Sequence, residues 1–203
     1  MPAMRTTRSN WLLDIVYIAV FAALIIAFAF VAIPVGSAGV PIVAQNAVII
    51  LAGLVLGPRR GLLAVLLFLL ISVALPVLAG GGTLIAKGGG PTIGYLVSYP
   101  FSALFAGALA YTGPARSRAA RLTGSIAGGV VGLLTQYLLG SLGLVARGDL
   151  EFLPALASNA PFIVPDALKI VVAVVIAVGV HAAFPKLVAA TKKPKAEPAA
   201  ASA

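Results

Sequence analysis

The chain has 203 residues, of which 61% are hydrophobic and only 9% charged, and its formal net charge is +9. A mean hydropathy of +1.12 excludes a soluble globular fold, which needs a charged exterior, so the basic excess reads as membrane topology rather than nucleic-acid binding. The absence of cysteine excludes disulfides and thiolate metal sites.

Residues 1–10 form a short basic leader. The apolar run after it is too long for a signal peptide and has no clear cleavage site, so it reads as the first spanning helix. Glycine, proline and basic residues then divide the chain into six apolar segments, at 11–33, 42–56, 62–78, 92–111, 122–144 and 162–184. The expected architecture is an all-α membrane protein of six transmembrane helices spanning residues 11–185. The Lys-, Pro- and Ala-rich tail at 186–203 is expected to be disordered. With the N-terminus placed inside, eleven of the fourteen basic residues fall on the cytoplasmic side. This puts both termini in the cytoplasm. The second segment is short, which leaves room for a recess on the outer side.

Few residues in this chain can carry chemistry. In "PFIVPDALKIVVAVVIAVGV", Asp166 and Lys169 sit three residues apart on one helix face, behind two prolines that suit a helix start. They form either an ion pair at a helix end or a polar couple facing a ligand inside the bundle. In "VPIVAQNAVII", Gln45 and Asn46 are amides able to read a ureido or lactam edge, or to bond between helices. In "GGGTLIAKGGGPTIGYL", the glycines permit close backbone approach, and Lys87 either meets a ligand carboxylate or keeps the loop wet. Tyr95 and Tyr137 suit a pocket wall or an interfacial belt. Ala19, Ala23 and Ala27 give the first helix a smooth face for packing, either inside the bundle or against another subunit. Asp14 suits the start of that helix. His181, alone near the far end of the last segment, reads as structural. There is no phosphate-binding GxxxxGK[ST] loop, no HExxH zinc motif, no GxSxG elbow and no paired catalytic carboxylates. Neither ATP hydrolysis nor another enzymatic activity is expected, and no metal or cofactor is implied.

Four segments in order, "VPIVAQNAVIILAGLVLGPRRGLLAVLLFLL", "GGGPTIGYLVSYPFSALFAG", "YLLGSLGL" and "PFIVPDALKIVVA", resemble the BioY family. These are biotin-specific substrate-binding (S) components of energy-coupling factor (ECF) transporters. The likeness runs over about residues 12–185. It implies a six-helix S component in a bacterial cytoplasmic membrane, with a biotin pocket near the outer side. Its implied partners are a transmembrane coupling protein and two ATPases. The family motifs fall on Asp166 and Lys169, on Gln45, and on Gly90, Pro91, Thr92, Gly94 and Tyr95. The coupling-protein docking motif falls on Ala19, Ala23 and Ala27. Two departures stand out. Val43 and Asn46 occupy positions where the family usually has Thr, and Lys87 stands where its loop usually offers an Arg, which has a bidentate fork that Lys lacks. On this reading Asp166 accepts from the ureido N–H groups, Lys169 donates to the ureido oxygen or orients Asp166, and Gln45 or Asn46 adds ureido bonds. Tyr95 and Tyr137 wall the bicycle, and Lys87 meets the carboxylate. The alternatives are an S component for another vitamin, riboflavin or thiamine, and a membrane enzyme or scaffold.

Overall fold

A computed structural model describes residues 7–33, 42–112, 117–185 and 187. Residues 1–6, 34–41 and 113–116 and the expected tail at 186–203, apart from Leu187, lie outside the described residues. Among the described residues six long helices are present: α1 (Thr7–Phe28), α2 (Gln45–Leu56), α3 (Pro58–Ala74), α5 (Ile93–Ala110), α6 (Arg118–Arg147) and α8 (Ile163–Ala183). Two short helices, α4 (Leu84–Gly88) and α7 (Phe152–Ala157), lie in connections that the sequence reads as loops. A two-residue antiparallel pair, β1 (Ala32–Ile33) with β2 (Ile42–Val43), closes the α1–α2 connection, with Ala32 opposite Val43.

Helices α1, α5, α6 and α8 are each long and apolar enough to cross a membrane. At about 1.5 Å per residue, the 30 residues of α6 reach about 45 Å, well beyond a hydrocarbon core of about 30 Å. Both ends of α6 therefore emerge, and its basic residues sit there: Arg118 and Arg121 at the start, Arg147 at the close. Arg59 and Arg60 likewise begin a helix rather than filling a loop, because Pro58 at the first position of α3 presets the helical φ. Helix α1 begins at Thr7, so the end of the expected leader is already helical.

Helix α2 is the axis of the bundle. It is apolar all round and nearly all of it is buried, as expected for a helix surrounded by others. Its 12 residues reach only about 18 Å. The rest of the crossing is irregular backbone at β2, held by the β1 pairing and by the Ala44 N–H donating to the Val31 carbonyl at 3.1 Å. One residue, Gly57, separates α2 from α3; its φ of +82° is open to glycine and strained for other residues. Two apolar clusters flank α2. One is centred on Ile25, Ile49, Phe68 and Ala103, the other on Ile50, Leu54, Ala106, Val174 and Ala177.

Successive long helices alternate in direction, and at the end bearing Arg60 their termini meet. Arg60 pairs with Asp14 at 2.6 Å and lies 5.9 Å from the centre of the Tyr17 ring. Tyr111 donates to the Val55 carbonyl, and His181 Nε2 lies 3.2 Å from the same oxygen. Arg121 donates to the His181 carbonyl at 3.3 Å. Asp14 therefore does not serve the α1 N-terminus, as its early position suggests. It sits two turns into α1 and bridges to α3.

The tightest seam joins α5 and α6, where glycines recur every fourth residue at 124, 128 and 132. A Cβ at Gly128 would collide with the Ala106 carbonyl and crowd Leu54, whereas one at Gly179 on α8 meets nothing within 4 Å. Gly128→Ala is expected to destabilise the purified protein by about 1–3 kcal/mol through overpacking. Gly179→Ala, which replaces an exposed mid-helix glycine, is expected to be neutral or stabilising by up to about 1 kcal/mol. Thermal melts of the two variants in one detergent check both.

Candidate ligand-binding site

The ionisable pair of α8 lies at the end of the bundle opposite Arg60. A 3-10 turn (Ala160–Phe162) leads into α8, and Asp166 occupies its first turn, where the helix dipole favours an anion. Asp166 is only 4% exposed. Its Oδ1 accepts from Asn46 Nδ2 at 3.1 Å and pairs with Lys169 Nζ at 2.5 Å, and its Oδ2 accepts from the Tyr137 hydroxyl at 2.7 Å. Lys169 Nζ also donates to Asn46 Oδ1 at 3.1 Å and to the Val43 carbonyl at 2.8 Å. Asn46, Asp166 and Lys169 thus close a ring, with Tyr137 bonded to its carboxylate. The pair is turned into the bundle, toward α2 and α6, and a buried charge needs this many partners. The cluster brings acceptors (a carboxylate, an amide oxygen) beside donors (an ammonium, a phenol, an amide). That combination matches a compact group whose own donors flank an acceptor.

The neighbouring amide points elsewhere. Gln45 is completely buried. Its Nε2 donates to the Ile25 and Val77 carbonyls, both at 3.1 Å, and its Oε1 accepts from the Ala79 N–H at 2.9 Å. Each of its groups is used by backbone, so in this structure Gln45 ties α1, α2 and the post-α3 segment together beside the cluster. Lys87 belongs to the same strap, its Nζ donating to the Ala79 carbonyl at 2.6 Å. Burial of its stem pushes its ammonium down from the ordinary lysine value. Glycines 80, 81 and 82, at φ of +71°, +79° and +95°, shape the turn that makes this possible. Gly90 donates to the Lys87 carbonyl at 3.0 Å, and Thr92 precedes α5 with its side chain exposed.

Tyr95 packs against α6 where Gly140 leaves space, since a Cβ there would strike its ring. Its hydroxyl donates to Asn159 Oδ1 at 2.8 Å, which fastens the α7 connection to α5. Asn159 Nδ2 in turn donates to Ser141 Oγ at 3.0 Å. The sequence singled out neither of these residues. Two further members of the region were also missed. Gln136, buried, donates to the Asn46 carbonyl at 3.2 Å and to Ser102 Oγ at 3.0 Å. Its signal was available: it is the one polar side chain in the four-residue row of α6 whose other members, at 124, 128, 132 and 140, are glycine. Tyr99, one turn beyond Tyr95, is buried within electrostatic range of Asp166 and Tyr95. Ala19, Ala23 and Ala27 all lie exposed on α1, which packs inward through Ala22 and Ile25 instead.

The model of the BioY family matches residues 3–186. This chain belongs to the BioY family. Among its relatives, the biotin transporter BioY of Rhodobacter capsulatus is 40% identical over 174 residues, covering 78% of this chain and 88% of its own. The biotin transporter BioY of Rhizobium etli is 35% identical over 179 residues, covering 86% and 96% respectively. The crystal structure of the S-component for biotin from an ECF-type ABC transporter superposes with a TM-score of 0.74 at 30% identity, covering 89% of this chain and 95% of that one. The chain is therefore a helical membrane protein with the S-component fold, as its motifs imply.

In the BioY cluster, removing one charge strands the other in a low-dielectric site. Asp166→Asn or Lys169→Met alone is expected to destabilise the protein by about 3–5 kcal/mol, and the double variant by less than the sum. A double-mutant cycle on thermal or denaturant unfolding checks this.

Proposed function

We propose that this chain is the biotin-binding S component of an ECF transporter in a bacterial cytoplasmic membrane, a substrate-binding subunit rather than an enzyme. The observation that carries the reading is the buried Asn46–Asp166–Lys169 ring with Tyr137, at the end of the bundle away from the basic helix starts. Biotin joins a ureido ring, an apolar bicycle and a terminal carboxylate. Its two ureido N–H groups suit Asp166, and its ureido oxygen suits Lys169 and the Asn46 amide. Tyr95, Tyr99 and Tyr137 supply aromatic wall, Gln45 holds the backbone behind it, and Gly90 and Thr92 line the entry beside the strap. Lys87 exchanges the Ala79 carbonyl for the carboxylate. Each exchange replaces one hydrogen bond by another, so the net gain per bond is only about 0.5–1.5 kcal/mol. Discrimination is larger, because an analogue without the ureido group leaves a buried partner unmatched at about 1–3 kcal/mol.

The exposed Ala19–Ala23–Ala27 face supports docking of a transmembrane coupling protein, since small residues let a partner helix approach closely. ATP hydrolysis then belongs to ATPase subunits bound to that protein. The clustering of Arg59, Arg60, Arg118 and Arg121 at one end supports a cytoplasmic placement of that end, with both termini on the same side, the spanning domain at 11–185, and the 1–10 leader and 186–203 tail outside it.

The test is binding of labelled biotin to the purified full chain, with riboflavin and thiamine as competitors. Biotin is expected to bind and neither competitor to displace it. Asp166→Asn is expected to weaken binding by about 5- to 150-fold, the equivalent of 1–3 kcal/mol. Displacement by riboflavin or thiamine, or undiminished affinity in that variant, defeats the reading. Ala23→Leu should leave biotin affinity intact while reducing copurification with the coupling protein.

A further inference from the structure

A groove of about 520 Å³ runs along the outside of the bundle between α3 and α5, and no residue of the Asp166 cluster lines it. It is lined by Leu62, Leu66 and Leu69 of α3 and by Ile93, Val97 and Leu104, among others, of α5. At its upper end it reaches Leu84 and Gly88 of α4. From Ile93 to Leu104 the α5 wall extends about 16 Å, close to one leaflet's share of a hydrocarbon core of about 30 Å. The groove therefore has the depth of one acyl chain and does not traverse the membrane.

Its upper end is not neutral. Arg147, exposed at the close of α6, donates through Nη1 to the Gly89 carbonyl at 3.3 Å, one residue from the groove lining. A guanidinium has five N–H donors, and this bond uses one. Among the described residues the ion pairs are Arg60–Asp14 and Lys169–Asp166, so Arg147 makes no direct ion pair with Asp149 or Glu151. An apolar channel one leaflet deep thus ends beside a guanidinium with N–H donors to spare, able to fork onto a phosphate.

We infer that this groove is a binding site for one anionic phospholipid, with an acyl chain between α3 and α5 and its phosphate on Arg147. A partner helix fits less well. Helix docking in membranes favours small residues that let backbones approach, and this groove is walled by leucine, isoleucine and phenylalanine. The small-residue face of the molecule is on α1. Seated here, the lipid fills the gap beside α4 and steadies the strap leading into α5.

Native mass spectrometry of the full chain, incubated in detergent with dioleoyl phosphatidylglycerol or dioleoyl phosphatidylcholine, tests the site. One phosphatidylglycerol per chain is expected to survive, in about fivefold preference over phosphatidylcholine, the contribution of one arginine near the membrane surface. Arg147→Gln should abolish the preference. Gly88→Leu, whose added side chain enters open space, should reduce retention of both lipids, with Leu66→Phe as a second way to fill the groove. Labelled-biotin binding and thermal melts, unchanged in these variants, verify that the fold is intact. Equal retention of the two lipids by the unaltered chain, or a preference that survives Arg147→Gln, overturns the inference. So does a chain dimer that Gly88→Leu disrupts, which assigns the groove to a second copy.

Discussion

Asp166 is a carboxylate placed where water is scarce, and much of the upper half of the bundle is arranged around keeping it charged. An isolated ion in such a place is far costlier than a paired one. Lys169 answers it from the next turn of α8, Asn46 from α2 and Tyr137 from α6. The ammonium has its own needs, met by Asn46 and by the Val43 carbonyl, which is free because β2 is not helical. The short α2, the irregular chain before it and the start of α8 are therefore one problem with one solution.

Gln45 and Asn46 show how α2 divides its labour. Successive helical residues diverge by about 100° around the axis, so neighbouring amides serve different neighbours. Asn46 completes the charged ring. Gln45 fastens α1 and the Val77–Ala79 backbone, and Ala79 in turn receives Lys87. The glycine-shaped strap and the charged ring are thus coupled through one peptide unit of α2.

Much of this was legible in the sequence. Long apolar runs broken by glycine and proline gave six segments that each overlap a long helix, four of which are long and apolar enough to cross a membrane. The Asp166–Lys169 spacing gave a shared face, and two prolines gave its place at a helix start. What pattern does not encode is direction around the axis. Both amides, Gln45 and Asn46, could read a ligand or bond between helices; their different roles follow from α1 packing beside Gln45 and α8 beside Asn46. Asn159 and Ser141 lie 18 residues apart and meet only because α7 folds back. Helices α4 and α7, at five and six residues, are too short to show periodicity. Arg147 lies beyond the apolar segment at 122–144 yet still belongs to α6, because the helix runs past the stretch that announced it.

The knot of side chains at the Arg60 end has a bearing on delivery. Asp14, Arg60, Tyr111, Arg121, His181 and the Val55 carbonyl draw on all six long helices. Above it sits a dry layer of Ile50, Leu54, Val174 and Ala177. A polar solute resting on Asp166 would have to shed its partners, percolate through that layer and prise open the knot to leave at the far side. Such a bundle is a cup with a sealed base, and a cup is emptied by tipping it or by breaking its floor.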